Sequence, residues 1–330
     1  MKLPEPYSPN GQLPWETETV IESAEEDLPE VSIVMPIYNA GAFLERSIRS
    51  LLMQDLNGVE LILMDGGSTD NTSEIVTHYE QYFAHTTFEK DEGQSDAINR
   101  GFGKANSPIL HWLNGDDIIL PNALLDVRRA FRDHPNTHIL VGDAYLTELD
   151  FAAIRHFQFS PEALKFEVLL DYASNHLIQP SVFFSREAWD HAGPLKKELH
   201  YAMDADLFLA MAAKYPLHHL PKDLSFSVYH EDCKTRHKRA ESITELALVQ
   251  ASHGGFDQAR KSLNILVDLF NQTHDAMTNA QTEVTSLQSG VGGSSSADKI
   301  AQAKLDAMRC EVEANLRLII DRDLLESRPA

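Results

Sequence analysis

Short apolar runs alternate with amphipathic segments through the first half of the chain. The runs VSIVMPIY, from Val31, and VELILMD, from Val59, are rich in branched residues, and the segment AFLERSIRSLLMQ between them places its apolar residues on one helical stripe. Strands that are apolar on both faces are typical of buried parallel sheets. The alternation continues through ILHWL, ILPNALLDVRRAFRD and THILVGDAYL to about residue 150. It predicts an α/β fold with a mostly parallel sheet flanked by helices.

The pattern changes after residue 150. The segments SVFFS and DADLFLAMAAKY are apolar enough for either a strand or a buried helix. Beyond Ala240 the spacing is helical, except at 289–298, where SGVGGSSSAD has the composition of a flexible hinge. A final helix is predicted over 298–325, and its interrupted heptad favours packing on the domain or on a helical neighbour over a true coiled coil.

Composition divides the chain into three predicted parts. Residues 1–30 carry eight acidic residues, one lysine and five prolines, which is too little apolar surface to fold alone, so we predict an extended arm. Residues 31–240 are predicted to form the α/β domain. Residues 241–330 are predicted to form a helical C-terminal region.

The chain is strongly acidic. It has 28 Lys+Arg and 50 Asp+Glu and a formal net charge of -22, so we expect no nucleic-acid partner and no strong attraction to an anionic membrane. Cys233 and Cys310 do not have the spacing of a disulfide framework or a zinc site. No run approaches the roughly 18 apolar residues of a membrane span, and the polar start does not resemble a signal peptide. We expect a cytoplasmic protein, for which a peripheral contact with the inner face of the membrane stays open.

Polar residues follow three of the predicted strands at the point where each strand ends. They are Tyr38 after the first strand, the turn from Asp65 to Asp70 after the second, and the acid pair Asp116 and Asp117 after ILHWL. Ligands of open α/β sheets bind beyond the carboxyl ends of the strands. Tyr38 could instead be a half-buried packing residue, and the turn could be a helix cap. The acid pair is harder to explain by packing, because adjacent like charges repel unless a cation or a basic partner offsets them.

Six segments with polar residues at or near strand and helix ends follow one another along the chain: VSIVMPIYNAGAFLERSIRSLLMQ, LILMDGGSTDNT, KDEGQSDAINRGF, LNGDD, MDADLFLAMA and HEDCKT. In this order they resemble glycosyltransferase family 2, and the resemblance covers roughly residues 31–237. The family consists of inverting enzymes of GT-A fold that move a sugar from a nucleotide-diphosphate donor.

The resemblance implies roles for individual residues. The catalytic base would be Asp204, with Asp206 as the neighbouring acid that could be confused with it. Mn²⁺ or Mg²⁺ would be held by Asp116, Asp117 and His230, although His230 could also be an ordinary surface histidine. The residues implied in nucleotide binding are Pro36, Tyr38, Asp65, Asp91, Asp96 and Asp116.

Two positions depart from the family pattern. Many members have a second acid where this chain has Gly66, and Asn114 replaces the first acid of the family's Asp-x-Asp metal motif. The change at Gly66 would alter the contact with the nucleotide base, and the change at Asn114 would lower the affinity for the metal.

The resemblance implies a metal-dependent inverting transfer from a nucleotide-diphosphate sugar, with a UDP-sugar favoured, to an acceptor hydroxyl. The expected acceptor is a glycan or a lipid-linked glycan in bacterial surface polysaccharide assembly, and the C-terminal helices could form a homo-oligomer. Two alternatives remain: a nucleotide-sugar-binding module without activity, and a nucleotidyltransferase. A nicotinamide-dependent dehydrogenase is disfavoured, because no G-x-G-x-x-G follows the first strand.

Overall fold

The computed structural model describes residues 4–7, 27–230, 233 and 238–289. Most of the predicted arm, the predicted hinge after Ser289, the predicted final helix and the Lys-Thr pair of HEDCKT lie outside the described residues. The described part folds around one sheet that is covered by helices on both faces.

Nine strands form the sheet within the described ranges. Their order is β3-β2-β1-β4-β8-β6-β9-β5, and β7 pairs with β6. The strands are β1 (Val31–Ile37), β2 (Val59–Asp65), β3 (His85–Phe88), β4 (Ile109–Trp112), β5 (Ile118–Ile119), β6 (Ile139–Thr147), β7 (Ala153–Phe157), β8 (Val182–Ser185) and β9 (Leu217–Val228).

The helices occupy the segments between the strands and the C-terminal part of the chain. Of the two ambiguous apolar segments, SVFFS forms β8 and DADLFLAMAAKY forms most of α7. The helices are α1 (Leu44–Leu52), α2 (Thr72–Tyr79), α3 (Gln94–Phe102), α4 (Ala123–Asp133), α5 (Phe166–Leu169), α6 (Arg186–Ala192), α7 (Met203–Ala212), α8 (Arg239–Ser252) and α9 (Phe256–Ser289).

The predicted α/β class is confirmed, and the strand directions add detail to it. β1 pairs in parallel with β2 and β4, and β2 pairs in parallel with β3. β8 then lies antiparallel to both β4 and β6, while β6 and β9 are parallel to each other. The prediction of a parallel sheet therefore holds for the first four strands, and the sheet as a whole is mixed. An apolar run favours a buried parallel strand but does not exclude an antiparallel one, as β8 shows.

The strands are buried on both faces, as their apolar runs predict. In β1, Val34 packs into the cluster that contains Trp112 and Phe208, whereas Ile33 and Met35 pack into the cluster on the opposite face. Successive side chains of a strand point to opposite faces, so one continuous apolar run supplies both layers.

The core does not end at the predicted boundary at residue 240. Val249 of α8 belongs to the cluster that contains Trp112, and the Glu245 carboxylate accepts hydrogen bonds from the backbone N–H groups of residues 200–202. Helix α8 therefore packs as part of the α/β domain. No helix in the described ranges combines the length and the apolar character that crossing a membrane requires.

Candidate active site

A cleft of about 530 Å³ lies at the carboxyl ends of β1, β2, β4 and β9. The chain passes from β1 outward to β2 and β3 and then returns to β4 on the other side of β1, so the cleft lies where the strand order reverses. Among the residues implied from sequence, those that line it are Pro36, Tyr38, Asp91, Asp116, Asp117 and His230.

The loop after β1 is held against the turn after β2. The Asn39 N–H donates to Ser68 Oγ at 2.8 Å, and the Asn39 Oδ1 accepts from the Thr69 N–H at 2.8 Å. Gly41 approaches the turn so closely that a Cβ there would lie 1.9 Å from Asn71 Oδ1. These contacts fix the backbone around Tyr38, whose side chain is 63% exposed at the edge of the cleft.

Asp65 is the last residue of β2, where it holds the turn that follows, and it does not line the cleft. Its side chain is 3% exposed, and Oδ1 accepts hydrogen bonds from the N–H and the hydroxyl of Ser68 at 3.1 and 2.5 Å. Such contacts are expected if residues 65–70 form a turn, which was the alternative to a binding role. Asp65 therefore acts on the cleft through the turn that it holds.

Asp91 does line the cleft, and it explains why position 66 is glycine. Its Oδ1 accepts from the Gly93 N–H at 2.8 Å, and a Cβ at Gly66 would lie 2.5 Å from its Oδ2. A second acid at position 66 would collide with this carboxylate. The Asp91 carboxylate thus occupies the space next to Gly66 where many family members have an acid.

Asp96 holds the start of α3. Its side chain accepts from the Glu92 N–H at 3.2 Å and forms an ion pair with Lys197 at 2.5 Å. The hydrogen bond from Lys197 lowers the pKa of Asp96. Asp96 is 8% exposed and is not part of the cleft wall, so it positions α3 instead of facing a ligand there.

Asp116 and His230 lie together in the cleft. His230 Nε2 is 3.1 Å from Asp116 Oδ2, and the His230 ring packs on Phe43 with centroids 4.1 Å apart. His230 is 6% exposed, so it is not the surface histidine of the alternative interpretation. Burial by itself would lower the pKa of His230, but the hydrogen bonds to Asp116 and Cys233 outweigh burial and raise it to about 10.

Asp117 has other hydrogen-bond partners than this pair. It is 5% exposed; its Oδ1 accepts from the Val228 N–H at 3.2 Å, and its Oδ2 accepts from Asn114 Nδ2 at 3.0 Å. Burial, and then the neighbouring charge of Asp116, raise the pKa of Asp117 to about 8. Both oxygens bind protein donors, and the carboxylate joins the loop after β4 to the end of β9.

Asn114 is suited to its position because it can donate. Its Nδ2 donates to Asp117 and to Gln179 Oε1, the latter at 3.2 Å, while its Oδ1 accepts from Gln94 Nε2 at 2.8 Å. An aspartate here would have no proton for Asp117 and would add a third carboxylate to the loop. The departure from Asp-x-Asp therefore stabilises the loop that presents Asp116.

Among the cleft residues that were not identified from the sequence are Lys90 and Cys233. Lys90 contributes a basic residue to the wall, and Cys233 lies beside His230, whose backbone N–H donates to Cys233 Sγ at 3.3 Å. The ligand atoms of Asp116, His230 and Cys233 all lie within 4.8 Å of one another. The spacing His-x-x-Cys in HEDC is the signal that could have identified the thiol.

The donor set fits a divalent cation. Two ligands at roughly 2.1 Å from one ion are roughly 3.0 Å apart at octahedral angles and roughly 3.4 Å apart at tetrahedral angles. The 3.1 Å between Asp116 Oδ2 and His230 Nε2 is the length of the hydrogen bond between them, and it also lies in this interval, so a cation could take the place of the proton that they share. Asp116 is the partly exposed member of the pair, with a side chain 32% exposed, so solvent ligands can reach it.

Asp204 lies at the first turn of α7, beside the cleft but outside its wall. Its Oδ1 accepts from the Ala205 N–H at 2.8 Å, and burial raises its pKa to about 6. The hydroxyl of Ser95 donates to Met203 Sδ at 3.0 Å, which places the start of α7 against the start of α3, next to Gln94 of the cleft.

Asp206 is engaged in the protein interior. It is 7% exposed and forms ion pairs with Lys196 at 2.9 Å and with His253 of the segment after α8 at 3.0 Å. Asp206 thus attaches the end of α8 to α7. Its two ion pairs make it less suited than Asp204 to the role of catalytic base.

Comparisons of the sequence with known proteins point to one family. Residues 32–190 match the family model described as Glycosyl transferase family 2. Over 192 residues the chain is 27% identical to the minor teichoic acid biosynthesis protein GgaA of Bacillus subtilis, covering 56% of this chain and 43% of that protein. For three curated relatives the aligned segments cover 33%, 40% and 43% of their lengths, so the chain spans less than half of each.

Two solved structures share the fold. A mannosyltransferase of Pyrobaculum calidifontis in complex with GDP-Man and Mn²⁺ superimposes with a TM-score of 0.56 at 15% identity, over 96% of this chain and 90% of that chain. S. aureus TarS 1-349 in complex with UDP-GlcNAc superimposes with a TM-score of 0.54 at 15% identity, over 91% of this chain and 92% of that chain. At these identities the likeness establishes the GT-A architecture.

Proposed function

Because residues 32–190 belong to glycosyltransferase family 2, we propose that this protein is a metal-dependent inverting glycosyltransferase. It would transfer a sugar from a nucleotide-diphosphate sugar, with UDP as the favoured nucleotide, to an acceptor hydroxyl. The observation that carries the proposal is the Asp116–His230 pair, 3.1 Å apart, in the cleft at the strand ends. A pair of metal-ligand types at ligand spacing, in the place where α/β sheets bind ligands, suits a nucleoside diphosphate.

The donor would extend across the cleft from Tyr38 to His230. The base would stack on the exposed Tyr38 ring beside the backbone of Pro36, with the Asp91 carboxylate as a hydrogen-bond acceptor. Asp65 and Asp96 would act through the turn and the helix start that they hold. Lys90 is placed to attract the diphosphate, which a net charge of -22 otherwise repels.

Asp116 and His230 would hold Mn²⁺ or Mg²⁺, and Asp117 would keep the metal loop in place through Val228. A bound cation supplies Lewis-acid neutralisation of the charge that develops on the leaving nucleoside diphosphate. The family assignment gave Asp117 a ligand role, but its contacts to Val228 and Asn114 support a positioning role.

Asp204 would accept the proton of the acceptor hydroxyl during attack. Its pKa of about 6 leaves it mostly ionised at neutral pH, yet close enough to neutrality to bind a proton effectively. Attack on the anomeric carbon passes through an oxocarbenium-like state, and a single displacement inverts the configuration. The acceptor would then approach from the side of α7.

The acceptor and the setting follow from chemistry and relatives. A relative named as a teichoic acid biosynthesis protein supports a glycan or lipid-linked glycan acceptor in surface polysaccharide assembly, on the cytoplasmic side of the membrane. The exposed face of α9 supports homo-oligomerisation, because four large apolar side chains recur on it at helical spacing. These are Phe256, Leu263, Val267 and Phe270, each at least 42% exposed.

The proposal is tested by measuring the melting temperature with and without nucleotide, and then by measuring hydrolysis of the sugar donor. UDP with Mn²⁺ should raise the melting temperature more than UDP with a chelator, and NADH should have no effect. A panel of UDP- and GDP-sugars then identifies the hydrolysed donor. If no nucleoside diphosphate raises the melting temperature with any divalent cation, the proposal fails.

A further inference from the structure

We infer that Cys233 supplies a third protein ligand, so that the cleft binds borderline metals such as Co²⁺ and Zn²⁺ in preference to Mg²⁺. The inference deepens the proposed function and rests on its metal site. Its basis is the cluster formed by Asp116 Oδ2, His230 Nε2 and Cys233 Sγ, whose ligand atoms lie within 4.8 Å of one another.

Two hydrogen bonds fix Cys233 relative to the backbone of His230. The Cys233 N–H donates to the His230 carbonyl at 3.2 Å, and the His230 N–H donates back to Cys233 Sγ at 3.3 Å. The end of β9 is itself held by the Val228 N–H, which donates to Asp117 Oδ1. The carboxylate, imidazole and thiol thus belong to two loops that a buried hydrogen bond joins.

The donor set determines the metal preference. Mg²⁺ takes oxygen ligands in octahedral geometry and keeps much of its water, whereas a set of one oxygen, one nitrogen and one sulfur suits Zn²⁺ and Co²⁺. The thiol would lose its proton to solvent on binding, and the His230 N–H would stabilise the negative sulfur that remains. Before binding, the thiol can donate to the Val228 carbonyl, 3.6 Å away.

The competing explanation is that Cys233 only packs. Under this explanation the small, half-buried thiol donates to a carbonyl and simply fills space in the cleft wall at the end of β9. Under that explanation the metal would bind through Asp116 and His230 alone, and removal of the sulfur would not alter its preference.

Cobalt titration of the purified full chain distinguishes metal ligation by Cys233 from the packing explanation. Thiolate ligation gives sulfur-to-cobalt charge-transfer absorption in the near ultraviolet, which oxygen and nitrogen ligands do not give. The sequence provides a matched control, because Cys310 is the other of its two cysteines. The band should appear in wild type and in Cys310→Ser and be absent in Cys233→Ser, whose Co²⁺ and Zn²⁺ affinity should fall by about tenfold or more with Mg²⁺ affinity unchanged.

The outcomes distinguish this inference from the proposed function. Cobalt binding without the band in wild type, or a band that Cys310→Ser removes, overturns the thiol assignment and leaves the Asp116–His230 site standing. The expected band in a protein that binds no nucleotide supports the thiol assignment and removes the glycosyltransferase proposal. If Cys233→Ser does not fold, alkylation of wild-type protein decides: Zn²⁺ should protect Cys233 from iodoacetamide, and equal labelling with and without Zn²⁺ overturns the inference.

Discussion

Glu245 of α8 holds the start of the helix that carries Asp204, the predicted catalytic base, and its removal should affect both stability and pH dependence. Its carboxylate accepts the backbone N–H groups of His200, Tyr201 and Ala202 at 2.9, 2.5 and 2.7 Å. Ala202 is the N-cap residue of α7, so these bonds fix the start of the helix that carries Asp204. Glu245→Ala leaves all three donors without their acceptor.

The size of the effect follows from these bonds. A hydrogen bond to a charged group contributes about 1.5–3 kcal/mol, but Glu245 is only half-buried and water can replace part of the loss. We expect a loss of about 2–4 kcal/mol of unfolding free energy, or a melting-temperature decrease of roughly 5–15 °C. The control is Glu241→Ala on the same helix. Glu241 forms an exposed ion pair with Lys238, so this substitution should leave the melting temperature almost unchanged.

Glu245→Gln tests the electrostatic part separately. Burial, and then the charge of Glu245, raise the pKa of Asp204. A base must be deprotonated to act, so removal of the Glu245 charge should shift the acidic limb of the rate profile to lower pH. Stability of Glu245→Ala equal to that of Glu241→Ala, or an acidic limb of Glu245→Gln that moves to higher pH, would refute the reasoning.

Three further sets of variants test the acid pair, Asp204 and the packing of α8. Replacing Asp116 and Asp117 together with Asn should abolish Mn²⁺-dependent UDP affinity in calorimetry with secondary structure retained; undiminished binding contradicts the metal assignment. Asp204→Asn should lower turnover by a factor of about 100 or more with donor affinity retained. Because the folded pKa of Asp204 is raised from 3.8 to about 6, wild type loses stability as pH rises through that interval. Asp204→Asn should therefore be more stable than wild type at pH 7 by up to about 3 kcal/mol, and this difference should vanish below about pH 4. Turnover equal to that of wild type, or lower stability than wild type at pH 7, argues against Asp204 as a buried base. A chain truncated after Ser289 should keep donor hydrolysis, whereas a chain truncated after Lys238 loses α8 and should not fold. If the chain that ends at Lys238 is stable and active, α8 is dispensable.

Periodicity along the chain predicted the elements because periodicity is local. The apolar runs gave β1, β2, β4 and β6, and the stripe in AFLERSIRSLLMQ gave α1. Residues directly after those strands gave Tyr38 and the acid pair of the cleft. No local pattern gives strand direction or the place of α8, because both depend on which distant segments pack together.

The sequence by itself determined the fold class and which residues follow the strand ends, since both depend on side-chain spacing within one segment. Only the tertiary structure decided what each carboxylate does. Asp116 meets His230 across 114 positions of sequence, and Asp117 meets the Val228 N–H across 111. Hydrogen bonds and desolvation act over a few ångströms, so two adjacent aspartates acquire different roles from the donors that folding brings to each. The thiol of Cys233 enters the site for the same reason.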